Sequence, residues 1–126
     1  MTTQTVAGWI DRIERGPDWL FVRVRMPDRS EPAGCQLADR VWTAMQYHMQ
    51  RRVVLELDEL PALRSELIRE LVLLQRRVQD NGGILRLSGV SDNNQHVLEL
   101  CRLAERFPRY RDRHDAVMAM GQLVGP

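Results

Sequence analysis

The sequence predicts a single α/β domain, and three observations carry that prediction. Val53-Val54-Leu55-Glu56-Leu57 is a nearly continuous apolar run, the pattern of a strand buried on both faces in a parallel sheet. Within a few residues it leads into a segment where Leu63, Leu67, Leu71, Leu74 and Val78 recur at helical spacing, with Ile68 and Val72 beside them. Strand-like and helix-like segments then alternate along the rest of the chain. The junction between that strand and that helix is the first place to look for function. A helix N-terminus presents unpaired N–H groups and a partial positive charge to whatever approaches it.

Taken in order, the first residues are polar and are expected to fray. Ile10 to Arg15 and Leu20 to Val24 read as strands. In the second, Leu20, Val22 and Val24 alternate with Phe21, Arg23 and Arg25, and Gly16-Pro17-Asp18 supplies the turn before it. Residues 26–35 form a loop containing Pro27, Pro32 and Gly34. A helix is expected from about Gln36 to Met49, with Leu37, Val41, Met45 and Met49 at i, i+4 and with Ala38 and Trp42 widening the stripe. After the strand Val53–Leu57 comes the helix Leu63–Gln79. Arg76 and Arg77 lie in its last turn, and Asn81-Gly82-Gly83 stops it. Ile84 to Leu87 is a strand and Gly89 to Asp92 a turn. Asn93 to Arg106 reads as a helix with Val97, Leu98, Cys101 and Ala104 inward, ended by Phe107-Pro108. Tyr110 falls in a short edge strand, and His114 to Leu123 forms a last helix. The order is β-β-α-β-α-β-α-(β)-α, in one domain spanning residues 1–126, with no internal repeat or low-complexity tract.

Composition narrows the function classes. At 126 residues the chain can bury a core without staples, and its 44% apolar and 28% charged content is ordinary for a globular protein. A net charge of +1 gives no general bias toward nucleic acid or an anionic membrane. No apolar run has the length to span a bilayer, so no membrane insertion is expected. The N-terminus lacks the basic-then-apolar order of a signal peptide. Cys35 and Cys101 match no metal spacing, and with no export signal they read as reduced thiols in a cytoplasmic protein. All 18 basic residues are arginine, which excludes a lysine Schiff base and a Walker-type lysine.

The candidate constellations are weak. His48, His96 and His114 are scattered, with no nucleophile or metal ligand at a meaningful spacing. His48 reads as packing and Cys101 as a buried thiol on an apolar stripe. Asp58 and Glu59 fit a turn better than an acid–base pair. Arg102, Arg106, Arg109, Arg111 and Arg113 are interleaved with Glu105, Asp112 and Asp115, the pattern of a solvated ion-paired edge rather than a nucleic-acid surface. Gly82-Gly83 precedes a strand, whereas a phosphate loop precedes a helix. No catalytic residue, metal site or cofactor is expected, and the chain does not read as an enzyme.

From Arg52 to Val117 the chain resembles the STAS domain, the family of bacterial anti-sigma factor antagonists and related sulphate-transporter domains. The features that match are VVLEL leading through a short loop into LIRELVLLQRRV, a Gly-Gly stop, and a short strand. A Gly-x-Ser turn at Gly89-Val90-Ser91 follows, then VLELCRL, Phe107-Pro108 and a closing helix containing Ala116 and Val117. The first 50 residues match in layout only. The resemblance implies a central mixed sheet of four or five strands flanked by helices. It also implies protein–protein signalling in bacterial transcription control rather than catalysis.

The family's hallmark is Asp-Ser-Ser/Thr-Gly at the helix start, whose second hydroxyl residue is phosphorylated by a partner kinase that is itself an anti-sigma factor. Laid on this chain, those positions are Arg64, Ser65, Glu66 and Leu67. Glu66 then stands at the phosphoacceptor position, and Ser65 is a possible residual phosphosite. Glu66 admits two readings: a fixed, partial imitation of a phosphorylated residue, or a favourable first-turn residue beside a Ser65 that caps the helix or lies near the cap. The expected contact surface is Arg64, Ser65, Glu66 and Arg69 with the turn Ser91, Asp92, Asn93 and Asn94. Its partner is a serine kinase-like anti-sigma factor. The alternative is a structural subunit docking on a transporter ATPase, which requires an exposed apolar face on Leu63–Val78.

Overall fold

A computed structural model of the chain describes residues 3–4, 8–27 and 36–119. Its elements are β1 (Thr3–Gln4), β2 (Ile10–Arg15), β3 (Leu20–Val24), α1 (Leu37–Tyr47), β4 (Arg52–Glu56), α2 (Ser65–Asp80), β5 (Ile84–Ser88), α3 (Asp92–Leu100), β6 (Arg109–Tyr110) and α4 (Arg113–Met118). The strands form one mixed sheet in the order β1-β2-β3-β4-β5-β6. β1, β2 and β3 pair antiparallel, while β3/β4, β4/β5 and β5/β6 are parallel. The expected sheet of four or five strands corresponds to β2–β6, and the two-residue β1 adds a sixth in a stretch expected to fray. Cys35, most of the 26–35 loop and the expected end of the last helix at Leu123 lie outside the described residues.

Strand alternation divides the side chains between two faces. Leu20, Val22, Val24, Val53, Leu55, Leu85 and Leu87 face the main core, where α1, α2 and α3 deliver Leu37, Val41, Met45, Leu67, Leu71, Leu74, Val78 and Leu98. Trp19, Val54 and Tyr110 face the other way and pack with Ala116 of α4, flanked by Phe21, Ile84 and Val117. β4 is thus covered on both sides, as its apolar run predicts. Its polar member, Glu56, is 5% exposed on the α4 face. There Arg113 donates to it through Nε at 2.9 Å and Nη2 at 2.8 Å, a bidentate fork. Arg113 also reaches Glu14 at 3.1 Å and stacks 4.2 Å over the Phe21 ring. The hydrogen bond to Glu56, followed by the charges of Glu56 and Glu14, raises the Arg113 pKa against the opposing effect of burial.

Three helices end in the same way, and only one announces it. Gly83 N–H donates to Val78 O and Gly82 N–H to Gln79 O, a Schellman ending with Gly82 at φ 75°. α1 repeats the pattern with Gln50 to Met45 and Met49 to Gln46, so the helix stops at Tyr47 with Met49 at φ 55°. α3 repeats it with Leu103 to Leu98 and Arg102 to Glu99, with Arg102 at φ 60°. This corrects the helix expected over Asn93–Arg106: it ends at Leu100, and Cys101, expected on its buried stripe, is an exposed free thiol. Asn94 and Leu98 form the buried side instead. The α2 start is corrected from Leu63 to Ser65, and α4 ends at Met118 with Ala119 left-handed.

Two outcomes follow for stability. Glu56→Ala removes the bidentate partner of Arg113, whose side chain is 31% exposed and keeps its contact with Glu14, and is expected to cost about 1.5–3 kcal/mol in urea unfolding; Arg64→Ala, on a pair with both side chains about half exposed, should stay within about 0.5 kcal/mol. Arg102→Gly relieves a left-handed non-glycine residue and is expected to raise stability by about 1 kcal/mol. A lower urea midpoint for that variant contradicts the Schellman assignment.

Candidate functional site

The junction after β4 is built from alternating buried and exposed residues. Leu57 N–H donates to Ser88 O at 2.9 Å, continuing the ladder past the strand end, and Leu60 N–H closes a turn onto Leu57 O at 3.1 Å. Asp58 and Glu59 form the exposed tip of that turn, as expected, and Leu60 and Leu63 anchor the segment in the core. The Asp58 carboxyl lies against Gly89, where a Cβ would come within 2.3 Å of it and where φ is 69°. Glycine at 89 therefore allows the first loop to pack onto the second.

Arg64, not Ser65, is the N-cap of α2. Its backbone is extended, and no side chain caps the helix. Ile68 N–H closes the first turn onto Arg64 O at 3.0 Å. Ser65 is the first helical residue and Glu66 the second; both are exposed, as is Arg69. The Glu66 carboxylate lies 3.9 Å from the Arg64 guanidinium, with both side chains about half exposed. Leu67, at the position where the resemblance puts a glycine, is fully buried.

The second loop docks beside the first. Ser91 caps α3, its Oγ accepting from Asn94 N–H at 3.1 Å. Asp92 and Asn93 are exposed, but Asn94 is 1% exposed, which corrects its place on the expected contact surface. Its Nδ2 donates to Leu60 O at 3.1 Å and ties the two loops together. Arg109 of β6, not expected to matter here, braces the same loop: Nε and Nη2 reach Val90 O at 3.2 and 2.8 Å, and Nη2 reaches Asp92 at 2.7 Å. Nothing in an arginine-rich stretch distinguishes this residue from its neighbours.

The structure therefore gathers Arg64, Ser65, Glu66 and Arg69 at the end of one helix and Ser91, Asp92 and Asn93 at the end of the next. The result is an open rim rather than an enclosed pocket. The histidines do not join it: His48 is buried at the end of α1, and His96 and His114 are exposed on α3 and α4. Among the described residues no group of three His, Cys, Asp or Glu side chains could hold a metal ion, and no helix is long and apolar enough to cross a membrane.

No family model and no curated protein sequence matches the chain. Solved structures do. An anti-sigma-factor antagonist (STAS) domain protein from Planctomyces limnophilus is 21% identical over 90% of this chain and 98% of its own, with a TM-score of 0.65. An anti-sigma factor antagonist from Mycobacterium paratuberculosis is 18% identical over 94% of each chain, with a TM-score of 0.68. A serine-to-glutamate variant of RsbS from Moorella thermoacetica is 14% identical over 85% of this chain and 91% of its own, with a TM-score of 0.71. The chain has the fold of STAS domains, as the resemblance of Arg52–Val117 implies.

The tie between the loops gives a testable outcome. Asn94→Ala leaves the buried Leu60 carbonyl unpaired and is expected to cost about 1–3 kcal/mol. Hydrogen exchange should speed first in residues 58–64. Uniform acceleration across the sheet, with no excess in that loop, contradicts the role assigned to Asn94.

Proposed function

We propose that this chain is a non-enzymatic regulatory protein-binding module, similar to an anti-sigma factor antagonist, that works in the cytoplasm without the usual phosphoswitch. The observation that carries the reading is the rim itself. Two helix starts are held in register by Asn94 and present Arg64, Ser65, Glu66, Arg69, Asp92 and Asn93 to solvent. Glu66 stands at the position the resemblance assigns to the phosphoacceptor. The partner best suited to the reading is a serine kinase-like anti-sigma factor. The transporter-ATPase alternative draws no support from α2: Leu63, Leu67, Leu71, Leu74 and Val78 are buried in the chain's own core, leaving Leu73 at 42% exposure.

The test is phosphate transfer and binding with an anti-sigma kinase of this family. The wild-type protein is expected to bind it and take up no phosphate, whereas Glu66→Ser supplies an acceptor hydroxyl and is labelled. Arg69→Glu, on the rim, is expected to weaken binding about tenfold, while Arg51→Glu, outside it, leaves binding unchanged. Labelling of Ser65 in the wild type, located by mass spectrometry, overturns the switchless reading.

A further inference from the structure

A cleft of about 400 Å³ opens between β2 and α1. Among the described residues its floor is Ile10 and Ile13, and its helical wall includes Thr43, Ala44, Tyr47 and His48. The floor depends on an irregularity of β2. Ile10 and Ile13 are three residues apart, so strict alternation would turn them to opposite faces of the sheet. The pairing with β3 shifts register between Ile10 and Arg12, and both side chains join the main core.

His48 is a polar member of this wall that the fold leaves unused. The residue is 7% exposed. Its backbone N–H donates to Ala44 O at 2.9 Å, and its ring meets the Tyr47 ring edge-on at 5.0 Å. Neither ring nitrogen has a hydrogen-bond or ion-pair partner among the described residues. An imidazole placed in an apolar wall without a partner forgoes hydrogen bonds that it makes in water. A ligand with an oxygen group on an apolar body restores them while filling the cleft.

Length and charge narrow the ligand. Arg40, Ala44 and His48 all line the cleft and stand four residues apart, so the wall extends for about 12 Å by the helical rise. That length suits a medium-chain aliphatic group. Asp39, the carboxylate of the wall, is met by Arg77 at 3.1 Å, and Arg40 adds a positive charge, so an acid is favoured over an amine.

We propose that this cleft binds a medium-chain aliphatic carboxylic acid, with its chain on Ile10, Ile13 and Ala44 and its carboxylate accepting a hydrogen bond from the His48 ring. Tyr47, at 75% exposure, flanks the bound chain. The site is separate from the rim and does not depend on the regulatory reading.

The experiment is a titration of the full chain with octanoate, 1-octanol and octylamine, each below its micellar range and at constant ionic strength, followed by amide NMR. Octanoate is expected to give saturable shifts centred on Ile13, Ala44, Tyr47 and His48, with 1-octanol at least about threefold weaker and octylamine weaker again. His48→Phe keeps a ring in the wall and removes both nitrogens; it should weaken octanoate at least about threefold and shrink its advantage over 1-octanol. Ala44→Phe, at a half-buried position, fills the cleft and should abolish binding, with the urea midpoint of each variant showing that it folds. Glu105→Gln, near the opposite edge of the sheet, should leave binding unchanged. Shifts that never saturate, 1-octanol or octylamine binding as tightly as octanoate, or wild-type affinity in His48→Phe or Ala44→Phe overturns the proposal.

Discussion

Burial of β4 on both faces is the constraint on which the rest of the structure depends. Its odd and even residues must satisfy different neighbours. Val53 and Leu55 receive α1 and α2, while Val54 and Glu56 receive α4. An apolar residue at position 56 would complete the pattern of the strand. A buried carboxylate there needs a cation, and the partly exposed Arg113 of α4 supplies it. That pair does more than offset a desolvation cost. Arg23 lies 3.9 Å from Glu56 and 3.4 Å from Glu59, so charge contacts run from α4 through the sheet to the turn that opens the rim. The C-terminal helix and the candidate site are joined through the same strand end.

The sheet was legible in the sequence because its signals are local and redundant. Leu20–Val24 alternates, Val53–Leu57 does not, and the parallel pairing of β3, β4 and β5 follows from the helices between them. Helix ends were less legible, for a physical reason. A Schellman ending needs one left-handed residue, and glycine reveals it at 82. Met49 and Arg102 adopt the same conformation with no compositional sign. Past Leu100 the apolar spacing of Cys101 and Ala104 still imitates a helix, so periodicity carried the α3 expectation six residues too far. Leu103 and Phe107 are apolar because a non-helical turn packs onto the core.

The candidate site was legible in part, and the division is instructive. Exposed polar and charged residues beside a helix start could be named from the sequence: Arg64, Ser65, Glu66 and Arg69 all lie on the rim. What holds the rim could not. Asn94 belongs with Ser91–Asn93 in sequence but serves as a buried tie to Leu60, and Arg109 reaches back from a different strand. Gly89 reads as an ordinary turn residue until Asp58 is seen packed against it. Each of these depends on a residue 17 or more positions away, beyond the reach of periodicity or spacing.

The charge of the rim bears on the two readings of Glu66. A phosphorylated side chain at a helix start brings about −1.5 to −2 and three acceptor oxygens. In the hallmark pattern an aspartate stands two residues before it and adds to that field. On the correspondence that the resemblance implies, that position is Arg64, 3.9 Å from the Glu66 carboxylate, and Arg69 follows on the exposed side of the same helix. The carboxylate's favourable interaction with the helix dipole, about 0.3–1 kcal/mol at an exposed site, is shared with a cation that neutralises it at a distance. The two arginines of the rim are matched by Glu66 and Asp92, so it carries no net charge, where a phosphorylated hallmark loop would be strongly negative. Glu66 therefore supplies the charge of a phosphate mimic without its field. On the proposed reading, a partner that leaves a phosphorylated surface because of its negative charge meets no such net charge here, which fits engagement without release.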